Sequence, residues 1–178
     1  MHDTPSMTPT IKRRLTAMVY ETFLLLAVEM LAVALFLIVT RNNHAPVFQY
    51  AMKVWLFVVT GAYFTWGWTN SGHTLAMKTW RMQVVTHGGA RLPVATAVVR
   101  YLLAWGWFLP ALLACTALGL KDKGQVGTAI AVGVIGWGLT AFLDRDRQFL
   151  HDRLAGTRVV LLPKAAHTPA PAVPQVLE

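Results

Sequence analysis

The chain has 178 residues, of which 55% are hydrophobic and 13% are charged, and its formal net charge is +8. Long apolar segments occupy most of this length, so little is left for a soluble domain, and a basic face on a folded nucleic-acid-binding module is excluded. We interpret the chain as one small helical membrane protein rather than as a soluble bundle of unusually apolar helices.

The first apolar segment, Leu15–Thr40, is long enough to cross a bilayer, which takes about 20 residues. It contains two acidic residues, Glu21 and Glu29. A charged side chain at the bilayer centre costs roughly 2.5–3.5 kcal/mol on insertion scales. We therefore expect each carboxylate to be paired, protonated or turned toward a polar cavity.

Three further apolar segments follow the first. The second contains Lys53, the third contains Arg100 and Pro110, and the last is rich in glycine. Pro110 should kink or break the third helix. The sequence thus predicts an all-α membrane protein, a four-helix transmembrane bundle with spans at about 15–40, 47–68, 94–120 and 126–143.

Lysine and arginine are concentrated in alternate flanks of these spans. Before the first span stand Lys12, Arg13 and Arg14, whereas the loop that follows it has only Arg41. Under the positive-inside rule, this pattern places both termini in the cytoplasm. We expect the protein to lie in the cell membrane. The same basic residues are suited to contact with anionic membrane lipids.

Short structured elements are predicted on the cytoplasmic side. The β-prone runs 81–85 and Thr157–Leu162 can pair into a small sheet, and Gly88-Gly89 predicts a hairpin with residues 90–93. Residues 144–155 predict an amphipathic helix lying flat at the interface, with Phe149, Leu150 and Leu154 on one side. Residues 1–10 and the Pro/Ala-rich tail 163–178 are predicted to be disordered.

Several motifs resemble a known family. They are Arg14-Leu15-Thr16-Ala17, an acidic residue in the first helix, residues 72–78 (GHTLAMK), and residues 151–157 (HDRLAGT) followed by the start of a β-prone run. In order and spacing they resemble the RDD family of small integral membrane proteins over residues 11–162. On this resemblance Arg14 matches the family arginine, Asp152 matches the second aspartate, and Glu21 replaces the first. The resemblance implies a membrane fold, and transport of unidentified ligands or cation/proton exchange has been suggested for the family.

Helix geometry suggests partners for the buried charges. Glu21 and Arg100 each lie six residues into a span entered from the cytoplasm, so they should share a depth and form a pair. Lys53 enters from the outside and should reach toward Glu29. For all four residues, structural ion pairing, a proton- or cation-handling role and simple snorkelling remain open. At the cytoplasmic rim, Asp152 should accept hydrogen bonds from Arg14 as a structural clamp, a gate or a ligand contact. Lys78 should anchor this rim or bind lipid phosphate.

Two functions remain open on this sequence. One is a small transporter or cation/proton exchanger, which is expected to be oligomeric because four helices enclose little polar volume. The other is a non-catalytic membrane subunit that binds or helps assemble another membrane protein. The glycines of the last span favour close packing within the chain or across a homo-oligomer. No nucleophile, metal-ligand or cofactor motif is present, so we expect neither an enzyme nor a bound cofactor or metal.

Overall fold

A computed structural model describes residues 8–43, 45–144 and 147–163 of the chain. The first two helices are α1, Ile11–Val39, and α2, Pro46–Asn70. The Thr10 side chain accepts a hydrogen bond from the Arg13 amide and caps α1, and a proline stands in the first turn of α2, where no backbone donor is needed. The two helices pack antiparallel, with most of their large apolar side chains exposed, as expected for helices that face lipid.

The third span is bent, as its proline predicts. It consists of α4, Val94–Ala104, a 3-10 turn at Trp105–Trp107, and α5, Leu109–Ala117, with a bend of 45° between the two parts. Pro110 stands in the first turn of α5, where its missing N–H breaks the helical hydrogen-bond ladder without leaving a donor unpaired. The predicted break at Pro110 is confirmed.

The last span is α6, Lys123–Leu139, which continues into a 3-10 turn at Thr140–Phe142. The Asp122 side chain caps α6 by accepting hydrogen bonds from the Gly124 and Gln125 amides. By length and composition, three helices in the described part of the chain can cross a membrane, and a fourth is added when the bent pair counts as one span. The predicted four-helix membrane fold is confirmed.

Four short elements cover one end of the bundle, and we call them the cap. They are α3, Leu75–Thr79; β1, Met82–Thr86; α7, Leu150–Leu154; and β2, Thr157–Leu161. The strands pair antiparallel, with Met82 opposite Leu161 and Thr86 opposite Thr157. The main core lies between this sheet and the nearby ends of α1, α2 and α4. It contains Ala17, Trp68, Met82, Val84, Leu92, Ala97, Tyr101 and Val159.

Two predictions for the cap need correction. The hairpin at Gly88-Gly89 is wrong, because β1 pairs with β2 and residues 90–93 form no strand. The predicted interfacial helix at 144–155 is much shorter, since only Leu150–Leu154 is helical in the described part of that segment, from which residues 145 and 146 are left out. Phe149 is buried against Trp107 instead of lying on a flat apolar face.

The glycines of α6 serve two different surfaces. A Cβ at Gly133 would lie 2.7 Å from the Cβ of Ala111, so this glycine lets α6 approach α5 closely. A Cβ at Gly127 or Gly136 would meet no atom within 4 Å. Packing within the chain is therefore confirmed for one face of α6, and the other face is open.

Candidate functional site

The buried side of α1 faces the cap. Arg14, Ala17 and Glu21 are buried, whereas most of the residues between them are exposed. Residues spaced by three, four and seven positions share one helix face, so the sequence itself directs these three side chains to the same side. The end of α1 thus carries a basic and an acidic group into the protein interior.

Asp152 occupies the centre of a buried charge cluster. The Arg14 guanidinium donates to one carboxylate oxygen of Asp152, and Arg100 Nη2 donates to the other at 2.5 Å. The Asp152 side chain is fully buried, with an exposed fraction of 0%. Arg14 also donates through Nη1 to the Arg147 carbonyl at 2.9 Å. We call Arg14, Arg100 and Asp152 the ion cluster; it joins α1, α4 and α7.

Aromatic rings cover both arginines of the ion cluster. The Arg14 guanidinium lies 4.1 Å from the centroid of Phe149, and the Arg100 guanidinium lies 4.2 Å from that of Trp68. Arginine stacks well on aromatic faces because its charge is delocalised over a plane and weakly hydrated. These contacts, together with the shared carboxylate, offset part of the cost of burying two cations.

His151 borders the ion cluster. Trp137 Nε1 faces His151 Nδ1 at 3.5 Å as a donor, and His151 Nε2 lies 3.4 Å from an Asp152 oxygen. Burial lowers the pKa of His151 to about 4, because the nearby Arg100 and Arg14 add to the desolvation and only Asp152 opposes it. Burial alone would raise the pKa of Asp152, but the positive charges of Arg100 and Arg14 hold that pKa far below its usual range.

Glu21 has two hydroxyl partners. Tyr63 on α2 donates to one carboxylate oxygen at 2.5 Å, and Thr74 donates to the other. Thr74 also caps α3, because its oxygen accepts a hydrogen bond from the Met77 amide. Glu21 thereby connects α1 with α2 and with the cap.

Glu29 lies farther along α1, in the middle of the apolar stretch. Thr60 on α2 donates to its carboxylate at 2.9 Å, and Trp55 on α2 donates to the Ala32 carbonyl at 3.0 Å. Glu29 is half-buried, while Lys53 is exposed and its Nζ lies 5.3 Å from the centroid of the Tyr50 ring. The α1–α2 interface therefore holds carboxylate and hydroxyl groups at two depths.

The predicted contact between Arg14 and Asp152 is confirmed. The predicted pair of Glu21 and Arg100 is wrong, because Arg100 binds Asp152 and Glu21 binds hydroxyls.

The predicted approach of Lys53 to Glu29 is also wrong. In the described residues the two form no ion pair: the lysine stays at the surface near Tyr50, and the carboxylate has the Thr60 hydroxyl as its partner. Nor does Lys78 join the ion cluster, since it is exposed on α3. Both lysines lie where a long flexible stem can keep its ammonium group in a polar environment, which costs less than burial.

Sequence reasoning missed several partners. Tyr63, Thr60 and Thr74 are ordinary polar residues in or next to apolar helices, and no spacing marked them as donors to the carboxylates. The position of His151 near the ion cluster could have been predicted, because His151 directly precedes Asp152 in the sequence. In the described part of the chain, no group of three or more histidine, cysteine or acidic residues is arranged to hold a metal ion.

A model of the RDD family matches residues 8–156, which is most of the chain. The chain belongs to the RDD family. No curated protein and no solved structure shows significant similarity to it. In this RDD protein, the positions that resemble the family arginine and second aspartate, Arg14 and Asp152, are in direct contact. Glu21, at the position of the first aspartate, lies on the same face of α1 but has different partners.

Proposed function

We propose that this RDD protein is a small membrane transporter in which Glu21 and Glu29 handle protons or cations. One observation carries the proposal. In residues 8–43, 45–144 and 147–163, Asp152 forms ion pairs with two arginines, whereas neither glutamate forms an ion pair with any cation.

The energetic cost of an unpaired carboxylate supports this role. Hydroxyl donors such as Thr60 stabilise a carboxylate less than a guanidinium does, and a charged side chain at mid-bilayer costs roughly 2.5–3.5 kcal/mol. A bound proton or a bound metal cation removes that cost. The buried carboxylate of Asp152, by contrast, has two arginine partners.

The order of the groups also supports a pathway. Glu29 and Thr60 lie at one level of the α1–α2 interface, and Glu21 and Tyr63 lie nearer the cap. Eight residues of helix separate the two glutamates by about 12 Å. Thr74 continues the series of polar groups to the cap. The two glutamates, each with hydroxyl donors, therefore stand at two levels between the middle of the first span and the cap.

For orientation, we propose that the cap is cytoplasmic and that the protein resides in the cell membrane with both termini inside. The support is the distribution of arginine and lysine, which are concentrated in and around the cap. A pathway from Glu29 to the cap then leads toward the cytoplasm.

Flux through reconstituted protein tests the proposal. Liposomes containing the full chain should acidify or alkalinise when a gradient of sodium, potassium or calcium is imposed, as read by an entrapped pH dye. Glu29→Gln should abolish this flux while keeping the helical content and thermal midpoint of the wild type. The exposed Lys53→Gln serves as a matched control on α2 and should keep the flux. Absence of flux for all these cations, with folded protein, would contradict a transport function.

A second candidate function is a non-catalytic membrane subunit that forms a homo-oligomer or binds another membrane protein. The exposed side of α6 supports it, because a Cβ at Gly127 would meet no atom within 4 Å and a second helix could approach closely there. In this case Gly127→Leu should change the mass of the complex measured by light scattering in detergent, while Glu29→Gln should not. The two candidates therefore differ in which variant has an effect.

A further inference from the structure

Three basic residues lie at the turn that ends α3. The Arg13 side chain at the start of α1 donates through Nε to the Trp80 carbonyl at 2.9 Å. In the same turn, the Arg81 amide donates to the Lys78 carbonyl at 3.0 Å. Arg13, Lys78 and Arg81 are thus brought together at one edge of the cap, although 65 or more residues separate Arg13 from the other two in the sequence. We call these three residues the basic rim.

No acidic side chain neutralises the basic rim in the described part of the chain. The ion pairs found there use only Asp144 and Asp152, whose partners are Arg14, Arg100, His151 and Arg153. Lys78 is exposed, and Arg13 and Arg81 are half-buried. Three positive charges at one edge without a counter-charge create a potential that attracts an anion.

The adjacent surface is apolar. Leu75 lies three residues before Lys78 on α3, so the two share a helix face, and Leu75 is 62% exposed. Leu15, which follows the basic start of α1, is also exposed. An exposed leucine beside an exposed lysine, at the level where the transmembrane helices end, is typical of an element at the boundary between lipid tails and headgroups.

We propose that the basic rim binds the phosphate of an anionic phospholipid headgroup, while Leu75 contacts the upper part of its acyl chains. Arg13 and Arg81 offer planar guanidinium groups, which bind phosphate oxygens through paired hydrogen bonds. Lys78 adds a point charge. A zwitterionic lipid carries a compensating cation in its headgroup and binds this site more weakly.

Lipid retention by the full-length protein in detergent tests the site. Phosphatidylglycerol and phosphatidylcholine with matched chains are titrated separately, and bound lipid is counted by native mass spectrometry. We expect the wild type to prefer phosphatidylglycerol. Lys78→Gln and Arg81→Gln should each weaken its binding about fivefold, in line with the usual value of one basic residue at an anionic surface. The double variant Lys121→Gln, Lys123→Gln removes exposed lysines at the opposite end of the bundle and should leave this binding unchanged.

Two further arms make the outcome decisive. The charge-retaining variant Lys78→Arg should bind phosphatidylglycerol with the affinity of the wild type. Lys78→Gln alters only an exposed side chain, so this variant should fold like the wild type. Equal retention of phosphatidylglycerol by wild type and Lys78→Gln would overturn the proposal. Binding of inorganic phosphate without any preference for phosphatidylglycerol over phosphatidylcholine would also overturn it, because the site would then take free phosphate and not a lipid headgroup.

Discussion

Arg14 and Asp152 lie 138 residues apart in the sequence and meet as a buried ion pair. Arg14 belongs to the first turns of the first membrane helix, and Asp152 belongs to the short helix of the cap that precedes the final strand. Their contact, reinforced by Arg100 of α4, holds the two ends of the described chain at one place. The ion cluster therefore connects the first helix with α4 and with the cap through long-range contacts.

Removal of the central carboxylate should be costly. Asp152→Asn leaves Arg14 and Arg100 buried without their counter-charge, so we expect a loss of about 3–5 kcal/mol in the free energy of unfolding. The measurement is chemical or thermal unfolding in a defined detergent. Asp122→Asn is the matched control and should be nearly neutral, because asparagine caps a helix as well as aspartate does. A loss below about 1 kcal/mol for Asp152→Asn would contradict the clamp.

Stability should fall in mild acid because of His151. An unfolded histidine gains a proton near pH 6.5, whereas His151 in the folded protein stays neutral down to about pH 4. Between these values the unfolded state binds more protons, so the free energy of unfolding should decrease as the pH falls, by about 3 kcal/mol over the window. Below about pH 4 the depressed pKa of Asp152 adds a further loss in the same direction.

The histidine contribution can be isolated by substitution. His151→Gln should flatten the stability profile between about pH 6.5 and pH 4, and the exposed His87→Gln should leave the profile unchanged. Unfolding midpoints measured at half-unit pH steps give both profiles. Identical profiles for wild type and His151→Gln would show that His151 is not buried as a neutral base between Trp137 and Asp152.

Helix packing should discriminate between the glycines of α6. Gly133→Ala places a methyl group 2.7 Å from the Cβ of Ala111, and the resulting overpacking should cost about 1–3 kcal/mol. Gly127→Ala meets no neighbouring atom and should be neutral or slightly stabilising, since alanine favours helix over glycine. Thermal unfolding of the two variants in the same detergent compares them directly. Equal midpoints would argue against close contact of α5 and α6.

The sequence contained enough information for the helices and for one long-range contact. Apolar length predicts the spans, Pro110 predicts the bend, and the shared rim position predicts that Arg14 reaches Asp152. The small sheet was also predictable, because both of its strands are β-prone and lie at the same end of the bundle.

Partner choice for the other charges was not predictable in this way. Counting residues from the membrane surface gave Glu21 and Arg100 similar depths, but depth does not specify which helix faces turn toward each other. Asp152 binds Arg100 from an element outside the spans, and Glu21 instead accepts hydrogen bonds from Thr74 and Tyr63. The hairpin prediction was wrong for a related reason, since β1 pairs with β2, which lies far away in the sequence.

Topology is testable without purification. Reporter fusions after Asn43 and after Glu178 should report opposite sides of the membrane, with the second on the cytoplasmic side, because the basic residues are concentrated at the cap. Enzymatic reporters that are active on only one side of the membrane give the readout. Fusions that report the same side would contradict the four-span arrangement, and exchanged sides would contradict the proposed orientation alone.

The proposed transport function requires Glu29 to exchange a proton for a cation, which infrared difference spectroscopy of its carboxyl group can measure. Spectra of the protein in lipid are recorded while sodium, potassium or calcium replaces a large organic cation at constant pH. The wild type should lose a protonated carboxyl band and gain a carboxylate band with at least one of these cations, and Glu29→Gln should show no such change. Unchanged spectra for all three cations, or the same change in Glu29→Gln, would contradict it.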